Sequence, residues 1–447
     1  MPAVMTPERA KSVKSMLTSA IGRSKQLLNH IKSLVLSGQI EKLGEDAVRK
    51  ISENERIHVR RFSLELAAEM VGVSRHIISS AEAAGDLPEP DYRKDTTRRI
   101  RAGYTINQIN DMRVHFKTLP EVDEAIKASI ISFLNLKGGC QKTTTTLFFA
   151  HWLAMKGYRV LCLDTDPQAS LTEAFGFAPD SEISYEHTIA PFMLGDQDAL
   201  LEEGLDENAF LNLRYAIRPT YWNRIDLIPG CLELLSIDLL GNRGRGTEVT
   251  VDKLRKGLKE VGVDYDFILI DGTPSLNLST LSVIRATDQV FVPTPAEMTD
   301  YRSTVKFLKM LEDVLDSAER QNQASSFPHF NFLVNKKTKT SYSDLMTNLI
   351  ENTFNDPKTN VNLVLDKHID SSNEVGRAAA EMSFLYEINA ADSSNRDGLK
   401  KAERNYDDVF EELLETINKN LNPAYVSVDL ASNLSALNLE AAKGEKA

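Results

Sequence analysis

Apolar residues fall in short, unbroken blocks through the middle of the chain and in helical spacing before it. The blocks are SIISFLNL at 129–136, YRVLCLDTD at 158–166, RIDLIPG at 224–230, YDFILIDGT at 265–273, QVFVPTP at 289–295 and HFNFLVNK at 329–336. They are apolar throughout rather than alternating, the pattern of strands covered on both faces. Between them the spacing predicts helices over 143–156, 279–285 and 301–315. Strands separated by helices imply right-handed crossovers and a mostly parallel, doubly wound α/β sheet. This body covers 126–421, and the small polar residues of 422–447 read as a flexible C-terminal tail.

The first 125 residues have a different texture. Leu27, Leu28, Ile31, Leu34 and Val35 share one helical face. That helix, within 1–50, either packs on its own domain or projects as a dimerisation segment. Residues 62–83, FSLELAAEMVGVSRHIISSAEA, predict two short helices across Gly72, with Ser63 capping the first and Ser74 the second. Ala67, Ala68, Val71, Val73, Ile78 and Ala81 would pack between them, which is helix-turn-helix spacing. The second helix would present Arg75, His76 and Ser79 to a major groove. The basic run Arg93, Lys94, Arg98, Arg99 and Arg101 reads as a β-wing that neutralises phosphates. A small helical domain with no DNA role has the same spacing. A further helix over 104–125, with a linker around Pro120, closes a winged helix-turn-helix domain at 51–125.

Composition narrows the picture. A chain of 447 residues is too long for one ordinary domain, and 42% hydrophobic with 26% charged residues excludes a disordered chain or a rod. No apolar run reaches the roughly 18 residues that span a bilayer. The N-terminus lacks the apolar core of a secretory signal. Cys140, Cys162 and Cys231 are odd in number and widely spaced, which argues against a disulfide scaffold, a zinc site or a cluster built within one chain. A reducing cytoplasm is the expected compartment. The net charge of −12 is uneven: residues 1–130 carry 21 Lys and Arg against 17 Asp and Glu, a net of +4, and the rest carries −16. A basic accessory module on an acidic body fits those values.

The first block runs into Leu136-Lys137-Gly138-Gly139-Cys140-Gln141-Lys142-Thr143-Thr144, where a helix begins. Paired glycines between strand and helix let backbone N–H groups turn around a phosphate, and the helix N-terminus adds positive partial charge. Lys142 supplies a point charge to the β- and γ-phosphates, and Thr143 a hydroxyl for magnesium. The strict pattern G-x-x-x-x-G-K-[ST] fails, because Leu136 and Gln141 stand at its glycine positions. Two more blocks end in acids, Asp164-Thr165-Asp166-Pro167-Gln168 and Asp271-Gly272-Thr273-Pro274. Acids at strand ends lie on the edge where open α/β sheets bind ligands. Asp271 can hold magnesium directly or through water, and Asp166 can orient an attacking water.

With K-G-G-x-x-K-T, D-x-D-P-Q and I-D-x-x-P in order, the chain resembles the deviant-Walker ATPases, specifically the ParA-type partition ATPases. The N-terminal extension is similar to that of the large subgroup, whose members serve low-copy plasmids and some secondary chromosomes and repress their own operon. The resemblance implies ATP and magnesium as cofactors, bound by Gly138, Gly139, Cys140, Gln141, Lys142, Thr143, Thr144, Asp164 and Pro274. It implies that Lys137 reaches the partner's phosphates in an ATP-sandwich homodimer, that Lys142 is the nucleotide lysine and that Thr143 holds magnesium. Asp166 would position water, and Asp271 would be the second-motif acid. ATP would drive dimerisation and sequence-independent DNA binding, with filaments as a further state, and a ParB-type partner would stimulate slow hydrolysis. Lys367, His368 and Arg377 are candidates for the non-specific DNA surface. Asn335 would face the adenine or serve as a strand-end turn former.

Rival members of the superfamily fit less well. A membrane-bound relative needs a basic amphipathic C-terminal helix, and the tail has Asp429, Glu440 and Glu445 against Lys443 and Lys446. A cluster-bearing reductase needs paired cysteines, and a tyrosine kinase a tyrosine-rich tail. The reading that competes from another class is a nucleotide-sensing transcriptional regulator with no segregation role.

Overall fold

The computed structural model describes residues 60–93, 100–124, 126–196, 212–241, 253–275, 277–320, 328–356, 361–380, 384–389, 393 and 395–422. The helical face at Leu27–Val35, the wing residues Lys94, Arg98 and Arg99, and the tail from 423 lie outside the described residues.

Among the described residues three helices come first: α1 (Leu64–Val71), α2 (Arg75–Ala84) and α3 (Ile106–Phe116). Ser63 Oγ accepts from Leu66 N at 3.2 Å and caps α1. Gly72 closes α1 with φ +82°, a left-handed conformation that disfavours any side chain. Ser74 stands at the α2 N-cap position without a side-chain cap bond, so that part of the capping expectation fails. Antiparallel bridges join Phe62 to Tyr104 and Tyr92 to Arg101.

The body follows as β1 (Ser129–Phe133), α4 (Lys142–Lys156), β2 (Val160–Asp164) and two short helices, α5 (Ser170–Ala174) and α6 (Ala190–Leu194). Next come β3 (Arg218–Pro219), β4 (Ile225–Ile228), α7 (Leu235–Gly241), α8 (Lys253–Gly262), β5 (Phe267–Asp271) and α9 (Leu278–Ala286). The remainder is β6 (Gln289–Pro295), α10 (Met298–Arg320), β7 (His329–Asn335), α11 (Ser341–Phe354), a two-residue pair β8 and β9 (Asn355–Asp356, Val361–Asn362), α12 (Asn373–Ala380) and α13 (Arg396–Leu421). The seven-stranded sheet has the order β3-β4-β2-β5-β1-β6-β7. Every pairing in it is parallel except β3 with β4.

Successive strand residues feed opposite faces, as the pleat requires. Ile131, Phe133, Cys162, Phe267 and Leu269 join one buried layer with Phe148, Phe149 and Trp152 of α4 and Tyr406 and Phe410 of α13. Ile130, Leu161, Leu163, Ile268 and Ile270 join the other, under α8, α9 and α10. Helices α1 to α3 share the first layer, through Ala67, Ile78 and Ile109. Polar bonds reinforce the junction: Arg60 pairs with Glu403 at 2.6 Å, and Asn110 Nδ2 donates to Ala154 O of α4 at 3.1 Å. Buried Arg113 donates from Nε and Nη2 to Met70 O of α1 (3.0 and 2.8 Å) and from Nη1 to Asn110 (2.6 Å).

Candidate nucleotide site

The C-terminal edge of the parallel strands carries the loop between β1 and α4. Gly139 takes φ +73°, and Gln141 takes φ +64°, ψ 28°. A left-handed backbone at Gln141 explains why the strict pattern carries glycine there; this chain accepts the strain of a side chain at that point. Helix α4 starts at Lys142, so its unpaired N–H groups open into the loop. Lys142, 7% exposed, donates from Nζ to Lys137 O at 3.2 Å and lies 3.9 Å from Cys140 Sγ. Burial raises the Cys140 thiol above its ordinary range, with Lys142 opposing.

Thr143 Oγ1 donates to Asp271 Oδ2 at 2.6 Å. Asp271 is fully buried, and its Oδ1 has no hydrogen-bond partner. A buried carboxylate oxygen left bare beside a hydroxyl, at a helix N-terminus, suits a hard divalent cation held through oxygen or water. Asp271 and Asp164 are register neighbours on β5 and β2. Burial, then the charge of Asp164, pushes Asp271 well above the usual carboxylate range. Burial also raises Asp164, to about 6, although hydrogen bonds from Thr172 oppose it. Both Asp164 oxygens are engaged: Oδ2 accepts from Thr172 N and Oγ1, both at 2.8 Å, and Oδ1 from Asp166 N at 3.1 Å. Asp164 therefore shapes the turn that carries Asp166, whose half-buried carboxylate accepts from Gln168 N at 2.9 Å. Thr165 ties the same turn to Asp271 O through its N–H (3.1 Å) and hydroxyl (2.8 Å). Pro274 follows Thr273 in the turn after β5. At Gly272 a Cβ would stand 2.0 Å from Leu134 Cδ2, so any larger residue there would force the Leu134 side chain to move.

The end of β7 holds the loop from the other side. Asn335, fully buried, donates from Nδ2 to Cys140 O at 2.7 Å. Lys336, at φ +51°, donates from Nζ to Gly139 O at 2.6 Å. Asn335 is thus in contact with the loop itself, and its buried Oδ1 is without a partner. Sequence reading passed over Lys336, Thr172 and Asp300. The last lies 3.4 Å from Lys137 Nζ. Its neighbourhood is an ordinary polar helix start with no local marker.

Of the residues proposed for DNA, Lys367 and His368 precede Ile369, whose N–H donates to Val334 O of β7 at 3.0 Å, whereas Arg75, His76 and Ser79 lie on α2 and Arg377 on α12. Arg75 and His76 are exposed on α2, and Ser79 is half-buried. Arg93 is exposed, whereas Arg101 is turned inward, 2.7 Å from Glu82 and hydrogen-bonded to Tyr104. Lys367 is exposed; half-buried His368 lies 3.8 Å from Asp370, and Arg377 pairs with Glu374.

A strand–loop–helix with a buried lysine and a threonine–aspartate pair at the sheet edge defines a P-loop protein. Residues 128–324 match a family model described as an AAA domain. Protein SopA of Escherichia coli K12 is 33% identical over 375 residues, covering 82% of this chain and 91% of its own. Plasmid partition protein A of Escherichia coli is 24% identical, covering 62% of this chain and 73% of its own. A solved structure described as a partition protein shares the fold, with a TM-score of 0.53 and 22% identity over 77% of this chain and 95% of its own. The chain belongs to the ParA-type partition ATPases.

Proposed function

We propose that the chain hydrolyses ATP slowly to segregate a DNA replicon, and that nucleotide gates its grip on DNA. One observation carries this reading: Thr143 and Asp271 meet at 2.6 Å beside Lys142, with Asp271 Oδ1 bare, as a magnesium nucleotide requires. Lys142 would hold the β- and γ-phosphates, with the N–H groups of Gly138 to Thr144 around them. Thr143 and Asp271 would hold magnesium, the latter through water. Asp166 would orient the attacking water. Lys137 would reach the phosphates of a second copy in a homodimer. In that state the protein binds DNA without sequence preference, and a ParB-type partner stimulates turnover and release. Filaments are a further state of the same dimer. The α1–α2 pair, through Arg75, His76 and Ser79, with Arg93 beyond it on phosphates, would read an operator and repress the protein's own operon. No helix among the described residues is long and apolar enough to cross a membrane, and the working location is the nucleoid.

The test is binding to a random-sequence duplex without nucleotide, with ADP, and with ATP and magnesium, for wild type and Lys142→Ala at one salt concentration. Salt is fixed because phosphate contacts make affinity steeply salt-dependent. ATP-dependent binding that the variant loses is the expected result. Equal binding in all three states would favour a regulator that acts through the α1–α2 pair alone.

A further inference from the structure

We propose that Asp300 is a latch that parks Lys137 within its own protomer and so sets the ATP concentration at which two copies join. The inference rests on the reading above that Lys137 acts on a second copy's phosphates.

The latch is built from both ends. Lys137 N–H donates to Asn135 Oδ1 at 3.1 Å. Asn135, 1% exposed, donates from Nδ2 to Pro293 O at 2.8 Å and to Thr304 Oγ1 at 3.0 Å. Thr304 Oγ1 in turn donates to Asp300 O at 3.1 Å. The start of the phosphate loop is thereby fixed to the first turns of α10. Across this frame Lys137 Nζ lies 3.4 Å from Asp300 Oδ1, an ion pair without a hydrogen bond, and that buried oxygen has no other partner. The two partners differ in freedom. The Asp300 side chain is 12% exposed, against 41% for Lys137. The carboxylate is held in a buried helix start, and the ammonium sits at the surface on a flexible four-carbon stem.

Among the described residues, Lys137 is the one cation within 4 Å of that carboxylate. Thr304 Oγ1 bonds the Asp300 backbone carbonyl rather than its carboxylate. An ammonium cannot sit on Asp300 and on the phosphate of a facing protomer at once, so the contact has two exclusive arrangements. Leaving Asp300 strands a buried carboxylate without its cation, which opposes departure. The anionic triphosphate of a second copy supplies the competing attraction. Dimerisation then needs more ATP than the phosphate site alone would demand, because the competent arrangement is only a fraction of the free protomer.

The experiment is sedimentation velocity of the full chain over a titration of a slowly hydrolysed ATP analogue with magnesium. Wild type, Asp300→Asn, Asp300→Ser and Lys137→Ala are compared. Acylation of Lys137 by an amine-reactive ester is followed by mass spectrometry in the nucleotide-free proteins. The expected result is a half-point for dimerisation about three- to tenfold lower in Asp300→Asn, as for loss of a partly exposed ion pair whose acid is buried. Lys137 should also acylate faster in that variant. If Asp300→Asn does not fold, Asp300→Ser is judged by the same two readouts. An unchanged or higher half-point, with Lys137→Ala remaining monomeric, overturns the latch and leaves the phosphate role of Lys137 standing. Wild-type dimerisation by Lys137→Ala overturns the role in trans, and the latch with it.

Discussion

Replacing Asp271 by Asn should make the nucleotide-free protein more stable and the magnesium-ATP complex less so. Asp164 and Asp271 are both fully buried and lie side by side in register. Burial, then the charge of Asp164, raises Asp271 well above the usual carboxylate range, so its charge is costly where it stands. An uncompensated charge buried at such an edge costs on the order of 3 kcal/mol. Asn keeps the carbonyl oxygen that accepts from Thr143, so the 2.6 Å bond survives. The position of the bare Oδ1 becomes an amide nitrogen without a partner, which costs about 1–2 kcal/mol. The balance is a gain of about 1–2 kcal/mol without nucleotide, or a few degrees in melting midpoint. Wild type gains about 2.7 kcal/mol from ligand at a hundred times its dissociation constant. The variant should lose most of that gain, because magnesium loses its carboxylate. The order of stabilities therefore reverses when magnesium-ATP is added. Melting followed by the fluorescence of Trp152 and Trp222, both buried, reads the comparison directly. A lower nucleotide-free midpoint in the variant, or a full magnesium-ATP shift, would refute the reasoning.

Three further outcomes follow from other parts of the structure. Asn335→Ala removes the bond to Cys140 O and leaves a void, so urea unfolding should show a loss of about 2–4 kcal/mol. If Asn335 only faced the base, stability would hold and nucleotide affinity alone would fall. Arg113→Ala strips Met70 O of two donors, and amides of α1 should exchange about tenfold or more faster while those of β1 and β5 keep their protection. Asp407 accepts from Tyr386 at 2.8 Å, and burial lifts it to about 6, with the charge of Glu403 adding and Lys156 and Arg60 opposing. Below about pH 4 it is protonated in both the folded and unfolded states. Between about pH 4 and 6 the folded state binds the extra proton, so stability falls by about 1–2 kcal/mol as pH rises through that window. Asp407→Asn should flatten this fall in denaturation curves taken from pH 4 to 7.

The six central blocks were legible because a short apolar run bounded by polar or turn residues is a local signal. The edge pairing at Arg218–Pro219 was not, since two residues with a proline form a strand only because β4 offers an open side. The Thr143–Asp271 pair was legible for a related reason: each residue ends its own strand or loop motif, and a parallel sheet brings such ends to one edge. The loop's restraints were not. Asp300, Lys336 and Thr172 are polar residues among many, and nothing local distinguishes them before the chain folds. Those restraints separate two steps that the motif alone would merge. Lys142 donates to a neutral carbonyl and lies beside a thiol, whereas Lys137 lies 3.4 Å from a buried carboxylate. In the proposed roles, a phosphate draws the first lysine away from weak neutral partners and the second away from an opposite charge. Nucleotide can then fill the site at a lower concentration than the one that frees Lys137, and ATP binding and pairing become two thresholds on one loop.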